Sequence, residues 1–356
     1  MVEIKIALLD RRFGSESGNI PNSWIIKKTN SNVSECARGE NTFALIDAFG
    51  ETMTGSIEME TEYNDLTEYD AIYMRVRNPV EELNAIKKIR ETCPKTVMIA
   101  YTDEWVNFNT IEKMQKYKFK ELSETVDAVV CGFGLNYSQE IFDKLEIKNY
   151  YHSPYAGDVG YWKQWYRPYS RKSNYIVGMW HLRSIFGQGR GDVQHETTFK
   201  VMNHLQKRFD VDCKFFLNFD GWKYEGIIRE KMKELGINCE LIKHIPNDAD
   251  FNEVLSKARL FIEEYPSPSY SRATVVSACV GTPQISTYLN DPSRVCFPNL
   301  TVNYGETEKM YGLGRKLLEN EQFNKKQVKI AQTNVEYYNY PQYKNRIIQL
   351  VNKLRK

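Results

Sequence analysis

The sequence has no run of apolar residues approaching the ~20 that a bilayer-spanning helix needs. It has no C-x-x-C pair, no G-x-G-x-x-G, no G-x-x-x-x-G-K-[ST], and no D-x-D directly ending an apolar run. Its seven cysteines, Cys36, Cys93, Cys131, Cys213, Cys239, Cys279 and Cys296, are odd in number and widely spaced. These absences argue against a membrane-spanning chain, a disulfide framework, a structural zinc site, a dinucleotide fingerprint and a Walker-type NTPase. The opening apolar stretch Ile6–Leu9 is too short for a signal peptide. We expect a cytoplasmic location, cysteines that act as small buried apolar residues, and no catalytic metal.

What is present is ordinary for a folded chain of 356 residues: 42% hydrophobic, 26% charged and 13% aromatic, with a net charge of +2. That length suits two domains. The charge is unevenly spread. Residues 1–165 hold 19 Lys/Arg against 26 Asp/Glu, and the remainder holds 29 against 20, so an acidic first half precedes a basic second half. A basic half suits an anionic ligand.

Short apolar runs recur, each followed by a loop and a helical pattern. Lys5–Leu9, Asp70–Val76, Thr96–Tyr101 and Val126–Cys131 read as strands, with a helix over Glu81–Glu91. The pattern pauses at His152–Lys172, rich in proline, glycine and aromatics, which reads as an interdomain hinge in which Gly157 and Gly160 absorb dihedral change. It restarts with Tyr175–Trp180, Cys213–Leu217, Cys239–Ile242, Leu260–Glu263 and Pro283–Ser286. Helices lie over Glu196–Phe209, Gly226–Leu235 and Phe251–Ala258. Two closing helices, Lys326–Tyr338 and Tyr343–Leu354, are expected to be separated at Pro341. Strands alternating with helices predict βαβ units on parallel sheets. In such sheets ligands bind beyond the carboxyl ends of the strands, so those loops are the places to inspect.

Four loops carry suitable chemistry. The first holds Gly14 and Ser15 after the first strand, where glycine lets a ligand approach the backbone. The second holds Asp103 and Glu104 after Thr96–Tyr101; adjacent carboxylates there suit a general base or sugar-hydroxyl contacts, and also a helix cap. The third, Phe186–Asp192, combines Gly187, Gly189 and Arg190, with Arg183 just ahead. Amides and guanidinium groups together suit a diphosphate. The fourth runs from Glu264 through Ser269, Tyr270, Ser271 and Arg272 into the small-residue helix Ala273–Val280, closed by Gly281-Thr282-Pro283. A helix N-terminus beside Arg272 suits an anion.

This fourth arrangement resembles the glycogen-synthase-like (group 1) superfamily of GT-B glycosyltransferases, whose C-terminal domain carries a strand, a Pro-Ser loop, a small-residue helix and Gly-Thr-Pro. His244-Ile245-Pro246-Asn247-Asp248 with the helix after it looks like the loop that precedes that family's donor strand. Asp103 occupies a place like the family's His-Asp, with Thr102 where the histidine would stand. The family's two donor glutamates, eight positions apart, fall on Pro268 and Val276, so their roles do not transfer. Glu263, Glu264, Ser269, Ser271 or Ser277 would have to read the sugar hydroxyls instead.

The resemblance implies an α/β chain of two Rossmann-like doubly wound domains facing across a cleft. Residues 1–165, joined by a closing helix at about 342–356, would be the acceptor domain, and 166–341 the nucleotide-sugar donor domain. It implies a metal-independent transfer of sugar from a nucleotide-diphosphate sugar. Asp103 and Glu104 would be catalytic. Gly14 and Ser15 would meet the acceptor. Arg183, Gly187, Gly189, Arg190, His244, Ile245, Glu264, Ser269, Tyr270, Ser271 and Arg272 would meet the donor. The acceptor stays open: a glycan, a lipid-linked glycan, a small molecule or DNA, the last as in phage-type hydroxymethylcytosine glycosyltransferases. A sugar-nucleotide epimerase of the same shape and a non-catalytic nucleotide-sugar binder also stay open. Lys113–Lys120, basic residues interleaved with apolar ones, suits peripheral contact with an anionic membrane.

Overall fold

A computed structural model describes residues 4–10, 25–27, 52–55, 63–76, 79–102, 115, 118–132, 135–179, 196–217, 225–242, 248–265 and 270–355. The chain forms two compact units. Unit 1 is Met1–Gly157 with Tyr340–Lys356, and unit 2 is Asp158–Asn339.

In unit 1 the apolar runs do not alternate. Every position of Val97–Thr102 and Ala128–Cys131 is buried, as is every position of Ala71–Met74. Strands covered on both faces belong to a parallel sheet with helices on each side. The strands are β1 (Ile6–Asp10), β2 (Ile25–Lys27), β3 (Thr52–Gly55), β4 (Ala71–Arg75), β5 (Val97–Thr102), β6 (Ala128–Cys131) and β7 (Tyr150–His152). They run in the order β2-β3-β1-β4-β5-β6-β7, parallel except for β2 against β3. Helices α1 (Pro79–Thr92), α2 (Phe119–Thr125) and α3 (Leu135–Lys144) connect them.

The closing helix Tyr340–Leu354 completes this unit. Tyr343, Ile347, Leu350 and Val351, at i, i+4, i+7 and i+8, are its buried face, packed with Leu8, Tyr73, Ile99 and Val130. Pro341 lies inside its first turn, where the missing N–H has no helical partner to lose. The two closing helices are separated two residues before Pro341: helix Glu321–Asn334 and a 3-10 turn, Val335–Tyr338, end at the extended Asn339, and the last helix starts at Tyr340.

Unit 2 has strands β8 (Tyr175–Met179), β9 (Asp212–Phe216), β10 (Cys239–Ile242), β11 (Leu260–Glu263), β12 (Gln284–Thr287) and β13 (Thr301–Val302). Their order is β10-β9-β8-β11-β12-β13, all parallel. The helices are α4 (Val159–Trp162), α5 (Glu196–Phe209), α6 (Glu225–Glu234), α7 (Asp248–Lys257), α8 (Arg272–Val280), α9 (Asp291–Cys296), α10 (Thr307–Glu319) and α11 (Glu321–Asn334). The chain winds outward from β8 to β10 and then returns to β11 on the other side of β8. The carboxyl ends of β8 and β11 therefore flank the switch point, where open α/β sheets bind ligands.

The segment read as an interdomain hinge contains the boundary between the two units, at Gly157 and Asp158, and forms regular turns beyond it. Asp158 caps α4 by accepting the Tyr161 amide at 2.9 Å, 3-10 turns follow at Lys163–Trp165 and Tyr169–Arg171, and Trp162 is fully buried. Gly160 lies within α4, so it does not supply the expected dihedral freedom. Arg167 makes a bidentate pair with Glu253 at 2.8 Å to both oxygens. The aromatic density that suggested a hinge is packing against α8. Among the described residues six cysteines are free and five of them buried, and no helix is long and apolar enough to cross a membrane.

Candidate functional site

Helix α8 is built almost wholly from small and β-branched residues, Arg-Ala-Thr-Val-Val-Ser-Ala-Cys-Val, which are modest helix formers. Burial of every residue from Ala273 to Val280 holds it instead. Its C-terminus closes on Gly281 at φ 79°, where a Cβ would stand 2.7 Å from the Tyr166 ring and 3.1 Å from the Arg167 carbonyl. Only glycine fits both the left-handed conformation and that contact.

Its N-terminus sits on a buried polar network. The Ser271 hydroxyl accepts the Thr274 amide at 3.3 Å and donates to Glu263 at 2.9 Å. Glu263, fully buried, also accepts from Tyr265 at 2.9 Å and Gln284 at 2.8 Å. Asn290 accepts the Ser271 amide at 3.2 Å and donates to Thr274 at 2.8 Å and Ser293 at 2.9 Å. A carboxylate held beneath a helix N-terminus by three donors needs no cation.

This geometry reassigns several expected site residues. The amide and hydroxyl of Ser271 are committed to the network, so Ser271 shapes the helix start and does not read a sugar. Ser277 is fully buried and donates to the Thr282 carbonyl at 2.6 Å, which removes it from any ligand. Glu263 is structural for the same reason. Arg272 is exposed on the first turn. Tyr270 lies edge-on to Tyr338 at 6.0 Å between ring centroids.

Glu264 differs from its neighbour. Strand alternation turns it to the other face of the sheet. It is 1% exposed; Oε1 accepts the Gly305 amide at 3.0 Å, and Oε2 makes no close hydrogen bond among the described residues, the Thr197 hydroxyl standing near the carboxyl group. Burial raises its carboxyl pKa to about 7, against the Gly305 amide and the Thr197 hydroxyl, which favour the charged form.

Asp103, Glu104, Arg183, Gly187, Gly189, Arg190, His244, Ile245, Ser269, Gly14 and Ser15 lie outside the described residues, though Gly187–Arg190 follow β8 and Asp103 follows β5 in the chain. In the basic stretch, Lys118 pairs with Glu121 at 3.6 Å and Lys120 with Glu146 at 3.2 Å. Lys118 adopts φ 58° ahead of α2, so the pattern does not continue as one helix through it. A hollow of about 700 Å³ lined by Gln139, Asp143, Glu146, Ile147, Lys148 and Tyr150 opens before β7, at the amino end of the sheet, and is not part of this site. Among the described residues no cluster of three His, Cys, Asp or Glu could hold a metal ion.

No protein-family model matches the sequence, and no curated protein matches it. Solved structures do match the fold. The Anabaena protein HepE in complex with UDP and glucose superposes with a TM-score of 0.65 over 98% of this chain and 100% of its own, at 12% identity. A glycosyltransferase from Rickettsia africae gives 0.61 over 89% of both chains at 12% identity. The trehalose-6-phosphate synthase OtsA gives 0.63 over 83% of this chain and 75% of its own, at 9% identity. The fold is GT-B, with two Rossmann-like units.

Proposed function

We propose that the chain is a glycosyltransferase: unit 2 binds a nucleotide-diphosphate sugar and unit 1 binds the acceptor. The observation that carries the reading is the start of α8. A helix N-terminus follows β11 at the switch point of unit 2, is braced from beneath by Glu263 and Asn290, and presents Arg272 to solvent. Such an end favours a diphosphate through its dipole and amides. The same fold in HepE is solved with UDP-glucose.

In this reading the protein itself stabilises the leaving diphosphate, without a metal. Arg183, Arg190 and Arg272 carry the charge, consistent with the basic second half of the sequence. Asp103, after β5 of unit 1, is the base or acceptor anchor.

Calorimetric titration with nucleoside diphosphates tests the donor site. Arg272→Ala should weaken binding by about 1.5–3 kcal/mol, the range for a charge-assisted hydrogen bond. Unchanged affinity removes Arg272 from the site, and a wild-type chain that binds no nucleotide or nucleotide sugar overturns the reading. Conversion of a nucleotide sugar without any acceptor would favour an epimerase.

A further inference from the structure

We propose that Cys213 and Cys239 form a reversible oxidation site: they exchange with low-molecular-weight disulfides and close a cross-strand disulfide that fastens the edge strand of unit 2 to its neighbour.

The register of the sheet sets the two side by side. β10 is the last strand in the order β10-β9-β8-β11-β12-β13, and its Cys239 directly opposes Cys213 of β9. Neighbouring strands lie about 4.8 Å apart, inside the ~4.4–6.8 Å that separates the Cα atoms of disulfide-bonded residues. The adjoining rung shows that side chains in register across these two strands do meet. Lys214 and Glu240, on the opposite face of the sheet, form an ion pair at 2.8 Å. Helix α5 holds the cysteine rung in place. The Cys213 thiol lies 3.8 Å from the Met202 carbonyl. The Gln206 side chain accepts the amide of Asn238, the residue before Cys239, at 3.1 Å and donates to its carbonyl at 2.7 Å.

Access singles out this pair. Among the described cysteines only Cys239 is not buried, and Cys213 beside it is 3% exposed. Cys279 and Cys296 also lie near enough for one charge to oppose the other, but both are fully buried in the core, where a small disulfide has no path to either.

The geometry sets the character of the bond. Side chains that leave a ladder side by side stay about as far apart as the strands, whereas the Cβ atoms of a disulfide stand about 3.5–4.5 Å apart. Closure therefore draws the two strands together, and a bond strained in this way belongs to the labile, easily reduced class. Burial, with Asp212 adding to it, pushes the Cys213 thiol up to about 12. Burial, and then the Cys213 and Glu240 charges, raise Cys239 as well. Thiolate is scarce at neutral pH, so closure is slow.

The oxidant is a small disulfide, RSSR. The Cys239 thiol loses its proton to solvent, and the thiolate attacks one sulfur of RSSR, forming a mixed disulfide and releasing RS⁻. The Cys213 thiol loses its proton in turn, and its thiolate attacks the Cys239 sulfur and expels the second RS⁻. The two cysteines give up two electrons and two protons, and RSSR leaves as two RSH. The rung lies at the amino ends of β9 and β10, while ligands of such sheets bind beyond the carboxyl ends. Oxidation thus locks an edge strand, whose peeling would offer backbone groups to other chains, without entering the proposed donor site.

The experiment incubates the full chain with glutathione disulfide for hours, alkylates the remaining thiols under denaturing conditions and maps the peptides by mass. The map reads Cys36 from its own peptide. The expected product is a link between the Cys213 and Cys239 peptides, two hydrogens lighter than the reduced pair and reversed by excess reduced glutathione. Cys213→Ser should stop at the mixed disulfide, with one glutathione retained on Cys239. Cys239→Ser should leave Cys213 as a free thiol. Wild type in which both cysteines alkylate fully, or in which Cys239 keeps a glutathione and no link forms, overturns the proposal. So does a Cys213 that takes up glutathione in Cys239→Ser as fast as wild type closes its link. Should either variant fail to fold, the wild-type map decides by itself.

Discussion

The phenol hydroxyls of Tyr73 and Tyr343 stand 2.5 Å apart in the core of unit 1, although 270 positions separate them in the chain. Tyr73 lies on β4 and stacks on Tyr101 of β5 with ring centroids 5.7 Å apart. Tyr343 belongs to the closing helix. The pair fastens the last helix to the centre of the first sheet. Tyr343→Phe takes one partner from a buried hydroxyl and should cost about 1–3 kcal/mol. Tyr343→Ala also opens a cavity and should cost about 3–5 kcal/mol. Urea unfolding of both variants checks this; a Phe variant as stable as wild type would show that the hydroxyl contact contributes nothing.

Asn290 should matter more than Ser271. Loss of the Ser271 cap in Ser271→Ala is expected to cost about 1–2 kcal/mol. Asn290→Ala strands the buried Ser271 amide and takes a donor from the buried Thr274 and Ser293 hydroxyls, so about 3 kcal/mol or more is expected. The reverse ranking in thermal melts would show that the network is organised around Ser271 instead.

Lys172 is buried with no carboxylate in its two hydrogen bonds, donating to the Ser256 carbonyl and the Thr282 hydroxyl at 2.8 Å each. Burial, and then the nearby Arg167 charge, lower its pKa to about 7. Between pH 7 and the ordinary lysine range the unfolded chain therefore holds the extra proton, so this residue's contribution to stability improves as pH rises through that window. Lys172→Met should be more stable than wild type at pH 7 and lose that advantage toward pH 10. A stability gap that does not change with pH would refute the assignment.

Asn252, on α7, is fully buried, and among the described residues neither its amide nitrogen nor its carbonyl oxygen has a partner. Replacing an orphaned polar group with an apolar one of similar size removes a desolvation cost of about 1–3 kcal/mol. Leucine also favours a helix. Asn252→Leu should therefore raise the melting temperature of the free protein, and a fall would show that the amide is satisfied in solution.

The legible parts of the sequence were those where one local rule decides. Val97–Tyr101 and Leu260–Ile262 are unbroken runs of apolar and aromatic residues, and Ser271 and Gly281 mark the two ends of α8 by capping chemistry alone. Elements that depend on distant packing were not legible. β7 has three half-buried positions, β13 is two residues long, and α9 six. The closing helix begins before Pro341 because a first turn tolerates proline. The adjacent carboxylates at 263 and 264 look equivalent in the sequence. Alternation sends one into the network under α8 and the other toward Gly305, and partners 8 to 41 positions away settle which one is saturated.

Because Tyr340–Leu354 belongs to unit 1 while Asp158–Asn339 forms unit 2, the order of synthesis differs from the order of assembly. At ~5–20 residues per second, about 10–40 s pass between the emergence of Gly157 and that of the closing helix. Throughout that interval the surface around Leu8, Tyr73, Ile99 and Val130 that Ile347 and Val351 later cover has no lid. The first unit made is thus the second to finish, and a nascent chain stalled within unit 2 would present a sticky, half-dressed sheet to any holding chaperone.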